Sequence, residues 1–127
     1  MFFEGEVTDG VALIRFDQVE SRVNTLSSAA LNEFAAILDT LGDDDSARSA
    51  VLYSGKKDSF VVGADIREFL TFETPAQVSA LIREGHALLE RLERFPKPVV
   101  AAIHGPALGG GLELVLACHY RIASNSP

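Results

Sequence analysis

Three consecutive glycines, Gly109-Gly110-Gly111, stand directly before an apolar run that holds one acid, Glu113. Glycine gives up more chain entropy on folding than any other residue, so such a row implies that the backbone itself must approach something. A helix beginning there presents unpaired N–H groups and a partial positive charge. Those groups can hold an anion, or an oxygen that becomes one during reaction. Glu113, about one turn in, can point a carboxylate over the same opening. A second segment, Phe60-Val61-Val62-Gly63-Ala64-Asp65-Ile66, also follows a predicted strand and also breaks an apolar run with glycine.

Spacing removes the commoner glycine-loop chemistries. No Gly-x-x-x-x-Gly-Lys-Ser/Thr occurs, and Gly105, Gly109, Gly110 and Gly111 do not make Gly-x-Gly-x-x-Gly. A Gly-x-Ser-x-Gly nucleophile elbow is absent too. Cys118 is the only cysteine, so neither a disulfide frame nor a cysteine-based zinc site is expected. Cys118 reads as a small core side chain. His104, at a strand end without a second ligand nearby, reads as a hydrogen-bonded structural histidine. His86 and His119 read as surface residues, and Lys56 and Lys57 as a solvated loop that can also approach anionic groups.

These residues need a frame. The 127 residues suffice for one domain with a real core, and 47% hydrophobic with 23% charged side chains is ordinary for a globular chain. A net charge of −7 argues against a nucleic-acid binder, though a local helix N-terminus can still attract an anionic ligand. No apolar stretch reaches the roughly eighteen residues of a membrane span. The start, MFFEGEVTDG, has neither the basic and apolar blocks of a secretion signal nor an Arg-rich transit peptide. Together these absences point to a bacterial cytoplasm.

Strand formers at Val11–Phe16, Ser49–Ser54 and Val99–Ile103, and a last strand starting near Tyr120, alternate with helices. The first helix is expected from about Ser27 to Leu41, with Gly42 as its stop. Thr74-Pro75-Ala76-Gln77 is a capping box that opens the second. Val78, Leu81, Ile82, Leu88, Leu89, Leu92 and Phe95 form its apolar stripe, and Pro96 and Pro98 end it. The alternation predicts an α/β fold with largely parallel strands covered on both faces. The chain ends at Ser126-Pro127, just after a strand begins, which does not look like a natural terminus.

SFVVGADIREF, followed by KPVVAAIHGPALGGGLELVLACHYRIAS, resembles the two signature segments of the crotonase (enoyl-CoA hydratase/isomerase) family. VNTLS near residue 23, with VGADI and GGGLEL, is most similar to hydratase domains at the N-terminus of multifunctional fatty-acid-oxidation enzymes. The resemblance runs from about Gly10 to Ser124. It implies that residues 1–127 are the N-terminal portion of a crotonase-like ββα spiral. It further implies syn-hydration of 2-enoyl-CoA to 3-hydroxyacyl-CoA in fatty-acid β-oxidation, with Δ3–Δ2 isomerisation as a related activity.

Carried over by position, the resemblance assigns an oxyanion hole to the backbone N–H groups of Val62 and Gly110. It assigns coenzyme A contacts to Arg22, Val23, Gly63, Ala64, Asp65 and Ile66, and a catalytic carboxylate to Glu113. Hydration builds an enolate on the thioester oxygen, and each preorganised N–H is worth about 3 kcal/mol there. Coenzyme A enters as part of the substrate, with no metal or redox cofactor. Homo-oligomers are implied, with a thiolase β subunit in the full-length complex. The family's second glutamate lies further along than this chain reaches, so hydration by these residues alone is expected to be impaired, and exposed apolar surface is expected to drive self-association. Three alternatives stay open: another crotonase-fold thioester chemistry, a non-catalytic acyl-CoA-binding fragment, and a structural protein without a ligand. Without the resemblance, the glycines allow close helix–strand packing, Glu113 complements a helix dipole, and Asp65 caps a short helix at Arg67–Leu70.

Overall fold

Asp9 and Gly10 have positive φ, 52° and 82°, and join two strands, β1 (Phe3–Thr8) and β2 (Val11–Phe16). A two-residue Asp-Gly turn with both φ positive twists the way an antiparallel hairpin requires. β1 is an addition to the strands expected above. Its alternation is hidden by Glu4, Gly5 and Glu6, and only Phe3 is buried. That one ring anchors the hairpin, with its centroid 4.3 Å from Phe16 and 5.4 Å from Phe34.

The computed structural model describes residues 1–125, and Ser126-Pro127 lies outside them. After the hairpin come α1 (Ser28–Asp43), β3 (Ser49–Ser54), α2 (Ile66–Phe69) and α3 (Pro75–Glu93). β4 (Val99–Ile103), α4 (Gly110–Ala117) and β5 (Tyr120–Ala123) complete the order. The sheet runs β1-β2-β3-β4-β5, parallel from β2 onward. The α/β expectation holds. Coverage of both faces does not: Ala12, Ile14, Phe16, Ala50 and Leu52 are buried, whereas Val11, Leu13, Val51 and Tyr53 are only half-buried. Strand side chains alternate between faces, so one face makes the core and the other stays partly open.

α1 starts where expected, with the Ser27 hydroxyl accepting from Ala30 N at 3.2 Å. It does not stop at Gly42 but runs to Asp43 and is capped at Asp44. Lys97 Nζ donates to the Leu41 and Asp44 carbonyls at 2.6 and 2.9 Å. Those bonds satisfy the helix end without a left-handed glycine. α3 carries the expected capping box and Pro75. Leu81, Leu88, Leu92 and Phe95 of its stripe are buried, but Ile82 is 48% exposed.

Cys118 caps α4 in the core, 3% exposed. Burial pushes its thiol up to about 11 from 9.0, with Arg121 acting in the opposite direction. A folded-state value above the unfolded one stabilises the chain below pH 9.0, an effect lost as pH rises towards about 11. The native chain is therefore expected to resist iodoacetamide at pH 8 to 9 and to react once urea unfolds it. Rapid alkylation of folded protein would contradict this burial.

Candidate active site

Two loops meet at the C-terminal ends of β3 and β4. Phe60 N donates to Pro106 O and Leu108 N donates to Val61 O, both at 3.0 Å, around a parallel bridge of Val61 with Ala107. The loops are therefore stitched together by main chain. The third glycine is required here, because a Cβ at Gly111 would lie 2.0 Å from Val61 O. No side chain can yield that space, since the obstacle is a carbonyl. Gly111→Ala is expected to cost about 3 kcal/mol of stability, and to lower Tm by on the order of 10 °C. Unchanged melting would mean that the loops do not touch as described.

Gly109 precedes α4 with φ 52° and no side-chain cap. Gly111 N turns back to Leu108 O and Glu113 N to Gly109 O. The Gly110 N–H, at the first helical position, has no partner among the described residues. It is one of the unpaired donors that every helix start carries.

The donor expected at Val62 is engaged elsewhere. Val62 donates its N–H to Asn24 O at 3.0 Å and does not line the cavity beside Gly110. The reason is strand pairing: residues 24–26 run alongside 62–64, with Leu26 N donating to Gly63 O at 2.8 Å and Leu26 bridging Ala64. Gly63, within that pairing, has φ 126°. In a parallel bridge one residue bonds the two neighbours of the residue opposite, so the Ala64 amide faces away from Leu26. Ala64 N–H has no partner among the described residues. Ala64, unlike Val62, lines the same cavity as Gly110 and Glu113. A Cβ added at Gly109 would come within 3.8 Å of Gly63 Cα, which brings the two free amides onto neighbouring loops.

The cavity holds about 330 Å³ and opens to solvent between α1, α3, α4 and the Ala64–Phe69 segment. Leu26, Phe34, Phe69, Leu81 and Leu114 make its walls, and Glu113 is the only carboxylate among its lining residues. Glu113 is exposed at the cavity edge. His86, read above as a surface residue, is exposed and also lines the cavity.

Other expected contact residues fall around this centre. Asp65 caps α2, its carboxylate accepting from Arg67 N at 3.0 Å, over a helix that starts one residue earlier than expected. Ala64 and Ile66 are exposed, Gly63 is buried, and Arg22 is exposed on the turn before Asn24. Lys56 is no solvated loop residue. Its Nζ donates to Gln18 O and Ser21 O at 2.6 Å and pairs with Asp17 at 2.7 Å, which braces the turn bearing Arg22 and Val23. Lys57 is exposed as expected.

Asn24 is the residue that sequence reasoning passed over. Fully buried, it accepts from Gln18 N at 2.9 Å and donates to Phe16 O and Phe60 O at 2.8 and 3.0 Å. It ties the end of β2 to the loop that carries Ala64. A buried amide flanked by Val23 and Thr25 was its only trace in the sequence. His104 is structural, its Nε2 lying 2.6 Å from Lys56 O. His119 is half-buried, its Nδ1 accepting from Val99 N at 2.9 Å. Arg121, at the edge, braces the end of α4 through the Cys118 carbonyl at 2.9 Å. Among the described residues no cluster of three or more His, Cys, Asp or Glu suits a metal, and no helix is long and apolar enough to cross a membrane.

A mostly parallel sheet in sequential order, with glycine loops meeting over an apolar cavity, is the frame of the crotonase fold. The solved enoyl-CoA hydratase of Bacillus anthracis superposes with a TM-score of 0.91 at 35% identity, over 99% of this chain and 48% of that one. The enoyl-CoA hydratase of Mycobacterium smegmatis gives 0.88 at 26% identity, over 97% and 48%. Residues 6–127 match the profile of the enoyl-CoA hydratase/isomerase family. This chain belongs to that family. It is 47% identical over 117 residues to the fatty acid oxidation complex subunit alpha of Shewanella oneidensis, covering 92% of this chain and 17% of that protein. The Shewanella amazonensis counterpart is 48% identical over 118 residues, again 17% of its length. The chain thus spans about half of the solved hydratases and a sixth of these curated relatives.

Proposed function

We propose that this chain grips the thioester of an acyl-CoA and supplies one proton-transferring carboxylate for hydration of 2-enoyl-CoA in bacterial fatty-acid β-oxidation. The supporting observation is the pair of unpartnered amides, Ala64 and Gly110, on touching loops that line the cavity holding Glu113. Water adds its oxygen to the β-carbon and a proton reaches the α-carbon. Between those events the electron pair rests on the thioester oxygen, where two fixed N–H donors stabilise it. Glu113 is the group that takes or gives the proton. The acyl tail lies along the apolar walls, and Arg22, Val23, Gly63, Asp65 and Ile66 border the coenzyme A moiety. No metal or redox cofactor enters this scheme, because the charge is held by amides and the protons by carboxylates and water. Δ3–Δ2 isomerisation, which moves one proton away from and back to the same enolate, uses the same parts.

The test is a titration of the 127-residue chain with crotonyl-CoA, run beside the loss of crotonyl-CoA absorbance and deuterium exchange at the α-carbon of butyryl-CoA. Saturable binding with exchange supports the proposal. Absence of any acyl-CoA binding would overturn it, and binding without exchange would leave a grip without catalysis. The expected assembly into homo-oligomers, and with a thiolase β subunit, belongs to the same reading. Leu108, Leu112, Leu116, Tyr120 and Ile122 are 48–70% exposed along α4, its entry and β5. So much apolar surface favours self-association. Light scattering is expected to give a mass that rises with concentration, and a clean monomer throughout would refute it.

A further inference from the structure

Gly85 sits in the interior of the 19-residue α3, where glycine weakens a helix relative to alanine. Two structural reasons for a helical glycine are a positive φ and a close backbone crossing. Gly85 is not among the positive-φ glycines. A Cβ built there would meet only Leu31 Cδ1, at 3.8 Å. That is ordinary van der Waals contact with the end of a flexible side chain, so the backbones of α1 and α3 are not in forced approach. What the missing side chain leaves is space. Gly85 lines the apolar cavity beside Ala64, Gly110 and Glu113, with Leu31, Leu81, Ile82 and Leu89 around it.

We infer that Gly85 sets how much acyl chain the cavity accepts, so that medium and long acyl-CoA thioesters bind better than short ones. This rests on the proposed acyl-CoA site and assigns it a specificity-determining residue. The thioester grip lies at the α4 start and the tail extends towards α3, so a side chain at residue 85 obstructs the tail and leaves the thioester alone. Ile82, half-exposed at the mouth, gives a longer tail a further apolar surface.

The experiment titrates butyryl-CoA and lauroyl-CoA into the wild-type chain, Gly85→Ala and Gly85→Leu, with melting curves for each. Each tail methylene kept out of the cavity costs roughly fourfold in affinity, so Leu should weaken lauroyl-CoA by roughly tenfold or more. Ala should weaken it less, while butyryl-CoA binds all three alike. Helix propensity also predicts that Ala melts no lower than wild type. A lauroyl-to-butyryl ratio that is the same in all three chains overturns the inference, as does a wild type without preference for the longer tail. Failure of the wild type to bind either thioester would defeat the acyl-CoA reading itself. Should Leu prevent folding, the Ala variant still decides, since its Cβ fits without displacing backbone.

Discussion

Glu113→Gln is expected to lower α-proton exchange on butyryl-CoA by between about a hundredfold and ten-thousandfold, the usual worth of a positioned general acid or base. Glutamine keeps the shape and can still hydrogen-bond, but it cannot accept the proton. The first turn of α4 is held by main chain, with Glu113 N on Gly109 O and Gly111 N on Leu108 O, so the substitution has little to disturb. Affinity for acyl-CoA should stay within about twofold, because the lost interaction belongs to the reaction and not to binding. Glu113 is the single carboxylate among the lining residues, and His86 is the other side chain there able to carry a proton. Exchange that persists in the glutamine variant would show that some other group carries the proton.

Gly110→Pro should be nearly as damaging by a different route. Proline has no N–H, and the first position of a helix is where its absence is tolerated best. The nearest obstacle to a new side chain is Leu26 Cδ1, 3.3 Å away, at the end of a flexible side chain. The helix should therefore survive while the oxyanion loses one of two donors, at a cost on the order of a hundredfold to a thousandfold in exchange. Circular dichroism and Tm check the fold, and deuterium incorporation reads the chemistry. Full exchange in a well-folded proline variant would remove Gly110 from the mechanism.

Most of the frame was legible because it follows from periodicity. The parallel strands, the capping box at Thr74 and the glycine loop before α4 are local signals, and they stand where the sequence indicated. β1 could have been read from Asp9-Gly10, the strongest short hairpin signal, had the acids of its exposed strand not obscured the pattern. The Val62 amide, expected as a free donor, is engaged for a physical reason. Val62 stands in a continuous apolar run alongside residues 24–26, and its amide is committed to Asn24 O. The Ala64 amide, two residues on, faces away from Leu26 and carries no such bond. Which neighbour does the pairing, residues 24–26, is a long-range fact that no local spacing encodes. The same holds for Lys56 and Asn24, whose partners lie up to 38 residues away in sequence.

The stitching of the Phe60–Val61 stretch to Pro106–Leu108 has a consequence for how this centre fails and varies. Its two proposed donors, at Ala64 and Gly110, belong to the polypeptide spine, so only an exchange to proline deletes one. Their spacing is governed by the seam between the loops. Heat or denaturant should therefore abolish thioester capture when that seam parts, ahead of the sheet as a whole if the seam opens as its own unit. Sequence drift on its outer side can meanwhile remodel which acyl groups enter while the anion grip stays fixed.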